Sequence, residues 1–468
     1  MNKSRKYQRV FIMLFFLSVI LRLGLAVVNR EANDNHMEVV RMIMETHRLP
    51  IMFECRECFH PKLFYITAAA LLQGLSLSDQ NTQIVFVQLL NFAAGVLTLA
   101  VIYKFIKEYP SENELPKLFA FALVALNPKF IAINSQASND TFAILFSTLA
   151  LFFAYRFFIN PTTKHFAYLI LFILLAVSTK VTSWIVFAAI FISFPLTLWS
   201  QDEKTSRKLT NITILLLSVL VLTTLNPLTQ FVTNTQKFGS PIVNSSKRLP
   251  LPGVFKQTSH YKEYFFKPGI VSIQDGFFTF KLTDLLNYPL TTNGEYDYPP
   301  QRTSFWSMLY ADANSLHFQN WPPSWQTTDD ENFTITRGIF ILALLPALIF
   351  IAGFLLELFA LLKALFERDK QKLRSLSNAL FLATSGGYIA FLMLTTLLYR
   401  DFAFIKLTYI LPGLLAFAWL FMRGTDLLLF RFPWSKWLLI GWISALSAFY
   451  TCDVFSMILQ LYSTNIHF

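Results

Sequence analysis

Apolar runs approaching the thickness of a bilayer recur along the chain, at 10–28, 82–103, 117–133, 141–158, 166–178, 182–199, 210–227, 335–361, 377–398, 406–422 and 437–459. A spanning helix needs about 20 mainly apolar residues to cross roughly 30 Å of hydrocarbon. Eleven such runs therefore predict an all-α polytopic membrane protein. Composition agrees: of 468 residues, 54% are hydrophobic and 14% charged, whereas a soluble protein carries roughly 25% Asp, Glu, Lys and Arg. Fifty phenylalanines against 15 glycines and 20 prolines also exclude collagen-like, linker-like and disordered chains.

Net charge is +11, but the basic residues gather at the ends of apolar runs rather than on a polar domain, so they read as topology signals and lipid contacts, not as a nucleic-acid surface. Lys3, Arg5, Lys6 and Arg9 precede the first run, which places that end in the cytoplasm. The run exceeds the usual signal-peptide core and lacks a clear small-x-small site, so it is expected to be an uncleaved span. Alternate loops then carry at least two basic residues each, for example Arg156 with Lys164 and Lys204 with Arg207 and Lys208. The opposite turns are poor in them: 178–183 holds only Lys180, and 134–140 none.

The spans divide the chain into an N-terminal membrane module, 1–227, with a first outer loop at 29–81; a loop domain at 228–334; and a C-terminal membrane module, 335–468. The central loop holds nine of the twenty prolines and exceeds ordinary connections, which marks it as functional. In the first outer loop, Met37, Val40, Met44 and His47 follow helical spacing up to Leu49-Pro50, and Pro61 suits the first turn of a surface helix over 63–77.

Polar residues thus collect on one side of the membrane, while the span interiors hold little charge beyond Arg22 and Glu357. Asp34 suits either a general base at the lipid interface or the cap of the following helix. Lys62 at a helix start suits a phosphate, although a lysine snorkelling to headgroups is the more common use of that pattern. Cys55 and Cys58, near His36, His47 and His60, admit a zinc site, a disulfide or free thiols. Asp140 is a second candidate carboxylate, with a helix cap as the more common role. Arg302, Arg400 and Lys406 are outer cations suited to a lipid-linked phosphate or to headgroups.

These segments together resemble the GT-C superfamily of integral-membrane glycosyltransferases, in particular the protein O-mannosyltransferase and lipid A aminoarabinose transferase group (glycosyltransferase family 39-like). Asn33-Asp34-Asn35-His36 with Arg48-Leu49-Pro50 is similar to the acidic first outer loop. His60-Pro61-Lys62-Leu63-Phe64-Tyr65 is similar to a Pro-Pro-Leu-Tyr-Tyr element, with Lys62 at the second proline. Ser138-Asn139-Asp140 and Ser178-Thr179-Lys180 resemble two further turns, Arg302 to Asp312 a stretch of bacterial members, and Lys406-Leu407-Thr408-Tyr409-Ile410-Leu411-Pro412 a late Arg/Lys-x-x-Tyr-x-Leu-Pro element. Many members carry Asp-Glu in the first loop. Here Asn35 follows Asp34, which keeps Glu31 and Glu38 open as alternative bases.

The resemblance implies a GT-C-like bundle of about eleven transmembrane helices with interfacial helices and a large extracytoplasmic loop domain. It implies transfer of a sugar from a polyprenyl-phosphate donor to a lipid, glycan or protein acceptor at the extracytoplasmic face of a multi-pass protein, in a bacterial inner membrane or an equivalent lumenal arrangement. Asp34 and Asp140 would be the catalytic carboxylates. Lys62, Lys180, Arg302, Arg400 and Lys406 would serve the phosphate, and His36, His60, Tyr310 and Tyr409 the rest of the substrates. No cofactor is specified, and a divalent metal stays open. A transporter or flippase of a lipid-linked substrate, with Arg22 and Glu357 on a conduction path, and a non-catalytic lipid- or glycan-binding subunit are the alternatives.

Overall fold

The computed structural model describes residues 3–29, 35–55, 57–199, 205–241, 273–287, 289, 304–315, 330–367, 377–399 and 406–466. Among these residues all regular structure is helical. The N-terminal part comprises α1 (Lys3–Val28), α2 (His36–Thr46), α3 (Leu63–Gly74), α4 (Gln80–Lys107), α5 (Glu114–Leu126), α6 (Pro128–Asn134), α7 (Asp140–Ile159), α8 (Thr163–Val177), α9 (Trp184–Trp199) and α10 (Thr205–Leu225). Short helices α11 (Phe231–Phe238), α12 (Ile273–Phe278), α13 (Leu282–Asn287) and α14 (Phe305–Asn314) follow. The C-terminal part holds α15 (Asp330–Leu342), α16 (Leu344–Glu367), α17 (Ser377–Tyr399), α18 (Leu414–Arg431) and α19 (Ser435–Ile466).

Helix starts follow local chemistry. The Asp79 carboxylate accepts the Thr82 N–H at 2.7 Å to cap α4, and Thr162 accepts the His165 N–H at 3.2 Å to cap α8. The two helices expected in the first outer loop are present as α2 and α3. Their apolar faces meet in a small core of Met37, Val40, Phe64 and Tyr65 that continues onto Val87 of α4 and Phe142 of α7.

Among the described residues seven helical stretches are long and apolar enough to cross a bilayer, and an eighth arises if α5 and α6 form one bent span. The other expected spans are shorter apolar helices, Thr163–Val177, Val181–Pro195 and Thr213–Leu225. A helix of 15 residues rises only about 22 Å at 1.5 Å per residue, short of the hydrocarbon thickness, so among the described residues length supports seven or eight spans and does not establish eleven.

The α5–α6 bend is 51° and has a local cause. Pro128 occupies the first position of α6 and holds Asn127 extended, at ψ 120°. The break strands carbonyls at the end of α5, and α1 supplies donors for them: Ser18 Oγ reaches the Ala125 carbonyl at 2.6 Å and Arg22 Nη1 the same oxygen at 2.8 Å. Arg22 Nε also donates to Asn134 Oδ1 at 2.8 Å, at the far end of α6. The fully buried Arg22 therefore ties the end of α5 to the far end of the short helix that leads to Asp140.

In the C-terminal part, α16 and α18 approach until backbone meets backbone. A Cβ on Gly353 would lie 1.9 Å from the Leu420 carbonyl oxygen, and one on Gly424 2.0 Å from that of Ile349. Gly386 has nothing nearer than 3.9 Å. Gly353→Ala is expected to force the helices apart at a cost of about 3 kcal/mol, lowering the thermal unfolding midpoint in detergent, whereas Gly386→Ala leaves it unchanged.

Candidate active site

The first outer loop is joined to two turns at one end of the bundle. The Lys62 N–H donates to the Leu228 carbonyl at 2.7 Å, and the Leu63 N–H to the Ser178 carbonyl at 3.1 Å. Asn226 Nδ2 reaches Ser178 Oγ at 2.8 Å, and Gln230 Nε2 the Pro50 carbonyl at 2.8 Å. Asn139 Nδ2 bonds the Thr179 carbonyl at 3.2 Å, and Asn91 Nδ2 holds the carbonyls of Gln136 and Ser138 at 2.5 and 2.7 Å. These bonds bring the starts of α3, α7 and α9 together with the ends of α8 and α10.

Lys180 and Asp140 meet there, Nζ to Oδ1, at 2.5 Å, with both residues buried. Asn139 holds the cap position of α7 and makes no side-chain cap bond, so the expected capping role of Asp140 is replaced by an ion pair. The Tyr409 ring lies 5.3 Å from Lys180 Nζ. Burial pulls the Lys180 pKa down, but Asp140, Tyr409 and Glu57 together outweigh it and leave it raised. Lys180 is accordingly a permanent cation at neutral pH.

Lys62 differs. It is fully buried and its Nζ donates to the Cys58 carbonyl, which replaces the snorkelling arrangement. Burial lowers its pKa to about 7, against an upward pull from Glu54 and Glu57. Cys55 and Cys58 form a disulfide with Cα atoms 5.1 Å apart, one of the three alternatives the sequence left open. Glu57 lies inside that small ring, buried, with Oε2 3.2 Å from His60 Nε2. It pulls the proton affinity of both Lys62 and Lys180 upward, after Glu54 for Lys62 and after Asp140 and Tyr409 for Lys180. Sequence reasoning missed Glu57; the signal was an acidic residue enclosed by a Cys-x-x-Cys loop, beside a histidine and a lysine.

His36 is buried at the start of α2, its Nδ1 2.7 Å from Tyr65 Oη and its ring stacked on that of His60 at 5.8 Å. Asn35, just before it, has φ 56°, ψ 25°. Asn tolerates this left-handed conformation better than a longer side chain. Asp34, Arg302 and Arg400, together with Glu31, lie outside the described residues.

Two other expected site residues lie on later elements of the chain. Tyr310 on α14 is buried and donates its hydroxyl to the Phe340 carbonyl on α15. Lys406 opens the 3-10 turn Leu407–Tyr409 that carries Tyr409. A second missed pair anchors this turn: Asp312 Oδ1 accepts from Lys129 Nζ at 2.6 Å, and Asp312 Oδ2 from the Leu407 N–H at 2.5 Å. Among the described residues no three His, Cys, Asp or Glu side chains converge to hold a metal ion.

The family model described as dolichyl-phosphate-mannose-protein mannosyltransferase matches residues 61–229, the stretch containing Lys62, Asp140 and Lys180. Over this stretch, which is less than half of the chain, the sequence is similar to that mannosyltransferase family. Solved structures of similar outline include the archaeal oligosaccharyltransferase AglB from Archaeoglobus fulgidus in complex with an inhibitory peptide and a dolichol-phosphate, with TM-score 0.48 and 13% identity, covering 97% of this chain and 56% of that one. The apo form of the Archaeoglobus fulgidus oligosaccharyltransferase gives TM-score 0.47 and 14% identity, covering 98% and 56%. ArnT from Cupriavidus metallidurans bound to undecaprenyl phosphate gives 0.36 and 12%, covering 89% and 77%. The chain spans 56% of the length of the oligosaccharyltransferase chains. No curated protein matches it.

Within this site, removing one partner of a buried ion pair leaves the other charge unpaired, at a cost of about 3–5 kcal/mol. Asp140→Asn is expected to lower the thermal unfolding midpoint strongly, and Lys180→Met in the same chain to restore part of the loss, because the stranded ammonium is then gone. Differential scanning fluorimetry of the single and double variants checks this.

Proposed function

We propose that the chain is a glycosyltransferase that takes its sugar from a polyprenyl-phosphate donor and passes it to a hydroxyl or amine of a lipid, glycan or protein acceptor at the extracytoplasmic face. The observation that carries this reading is the gathering of two buried lysines, Lys62 and Lys180, at one end of the bundle, within the stretch that matches the mannosyltransferase family. Such a site has one chemical use that matches its cost: an anion that leaves water with its lipid and gains charge as the sugar bond breaks.

In this mechanism Lys62 and Lys180 serve the donor phosphate, and Arg302, Arg400 and Lys406 are further candidate cations for it. The phosphate leaves with the electron pair of the bond to the anomeric carbon, so its negative charge grows in the transition state. Asp34 takes the acceptor proton, with the His36–Tyr65 hydrogen bond orienting the segment that follows it. Asp140 keeps Lys180 charged and aimed.

The alternative path through the membrane lacks support in the packing. Arg22 is spent on the α5–α6 break, and Glu357 is buried against Arg423 and Asn378.

Because burial lowers Lys62 to about 7, its positive charge is full below that pH and is lost as pH rises through it. Apparent donor affinity is therefore expected to weaken about tenfold per pH unit on the alkaline side, until phosphate binding itself holds the proton. Lys62→Arg, which stays charged, is expected to flatten the profile. Transfer from a radiolabelled polyprenyl-phosphate sugar in membranes tests the whole reading. Wild type transfers and Asp34→Asn does not; no transfer from any polyprenyl-phosphate sugar would sink it.

A further inference from the structure

We propose that Asp312 is a positioning residue: from the end of α14 its carboxylate fixes the turn Leu407–Tyr409, and so the place of the Tyr409 ring beside Lys180. The consequence for transfer rests on the glycosyltransferase reading above, whereas the placement of the ring does not.

Asp312 is buried, and both its oxygens are used. Oδ1 accepts from Lys129 Nζ at 2.6 Å and Oδ2 from the Leu407 N–H at 2.5 Å. Lys129 stands in α6 directly after Pro128, and its charge offsets the cost of burying the carboxylate. The neighbours of Asp312 hold the same end of α14. Asn127 Nδ2 donates to the Ala313 carbonyl at 2.9 Å, and Tyr450 Oη donates to Asn314 Oδ1 at 2.5 Å. Two residues earlier, the Tyr310 hydroxyl donates to the Phe340 carbonyl. The carboxylate is therefore presented by a helix end that is tied to the α5–α6 break, to α15 and to α19.

The turn it meets has little hold of its own. A three-residue 3-10 turn closes few bonds: the Tyr409 N–H donates to the Lys406 carbonyl at 3.1 Å, and the Ile410 N–H to the Leu407 carbonyl at 2.9 Å. Lys406 occupies the cap position and makes no side-chain cap bond. The first donor of the turn, the Leu407 N–H, is satisfied by Asp312 instead. An ionised acceptor makes this bond stronger than one to a neutral group. Two residues on, the Tyr409 ring lies 5.3 Å from Lys180 Nζ. Lys180 is held separately by Asp140, so loosening the turn moves the ring and leaves the lysine paired.

The test uses the full chain in lipid nanodiscs. Hydrogen exchange of the ligand-free protein is read by mass spectrometry, and transfer from a radiolabelled polyprenyl-phosphate sugar is the second readout. Asp312→Leu is combined with Lys129→Met so that no charge is stranded. In that chain the protection of the amides of residues 409 and 410 is expected to fall about tenfold, while that over 140–147 stays as in wild type. The kcat/KM for transfer falls on the order of 10²-fold, as for a displacement of about 1 Å in a reacting site. Asp312→Asn with Lys129→Met keeps an acceptor oxygen for the Leu407 N–H and recovers most of both losses. In a Tyr409→Ala background, Asp312→Leu with Lys129→Met changes kcat/KM by no more than about twofold, an outcome that general damage to the bundle would not give.

Wild-type exchange at 409 and 410 would overturn the proposal. An Asp312→Asn, Lys129→Met chain as impaired as the Asp312→Leu one would do so too, because the ion pair and not the turn bond would then be decisive. A full further loss of transfer in the Tyr409→Ala background has the same force. If the Asp312→Leu chain does not fold, placing the α-hydroxy analogue of leucine at position 407 removes only the N–H donor. The same fall in protection at 409 and 410 is expected there, and its absence overturns the proposal. Should wild type transfer no sugar, the glycosyltransferase reading fails, and the exchange measurement alone decides whether Asp312 places Tyr409.

Discussion

An ammonium can leave water only where nearby negative charge and hydrogen bonds offset its desolvation, and the end of this bundle is organised around that requirement. Lys180 satisfies it by direct contact with Asp140. Lys62 satisfies it less completely, through a carbonyl and the field of nearby carboxylates. One lysine is a fixed cation, and the other titrates near neutrality. A site of this kind is costly to fold without function, which is why the lysine pair carries the functional reading.

The surrounding architecture keeps these groups in place. Asp140 is delivered by the turn after α6, and α6 exists as a separate helix because Pro128 breaks the span. Arg22 occupies the gap, bonding Ala125 before the break and Asn134 after it. An arginine that looks from sequence like a transport residue is therefore a brace. At the other side, Asp312 ties Lys129 on α6 to the turn carrying Tyr409, so that the Tyr409 face and the Asp140 carboxylate approach Lys180 from elements anchored to the same short helix.

Local pattern accounts for much of what the sequence revealed. Apolar runs separated the membrane helices, and the spacing of Met37, Val40 and Met44 marked α2, because helical periodicity is written in consecutive residues. Lys62, Asp140 and Lys180 stood out as polar residues at the ends of apolar runs. The capping role expected for Asp140 failed because a lysine 40 positions away competes for the carboxylate. Lys129 and Asp312 were missed for a similar reason: 183 positions separate them, and neither has a local pattern that names the other. Glu57 was hidden by its neighbours, since Cys55 and Cys58 drew the reading toward metal or disulfide and away from the residue between them.

By itself the sequence determined that this is a helical membrane protein with its polar chemistry gathered at one face, because spans and loops follow from the hydrophobicity of contiguous segments. Only the tertiary structure decided which charges meet. Ion pairing depends on side chains brought together by backbone contacts such as Leu63 with Ser178 and Lys62 with Leu228, and those contacts join segments between which no periodicity runs. It also decided which lysine keeps its proton, since that depends on burial and on the distance to a carboxylate, and neither quantity is local to the chain.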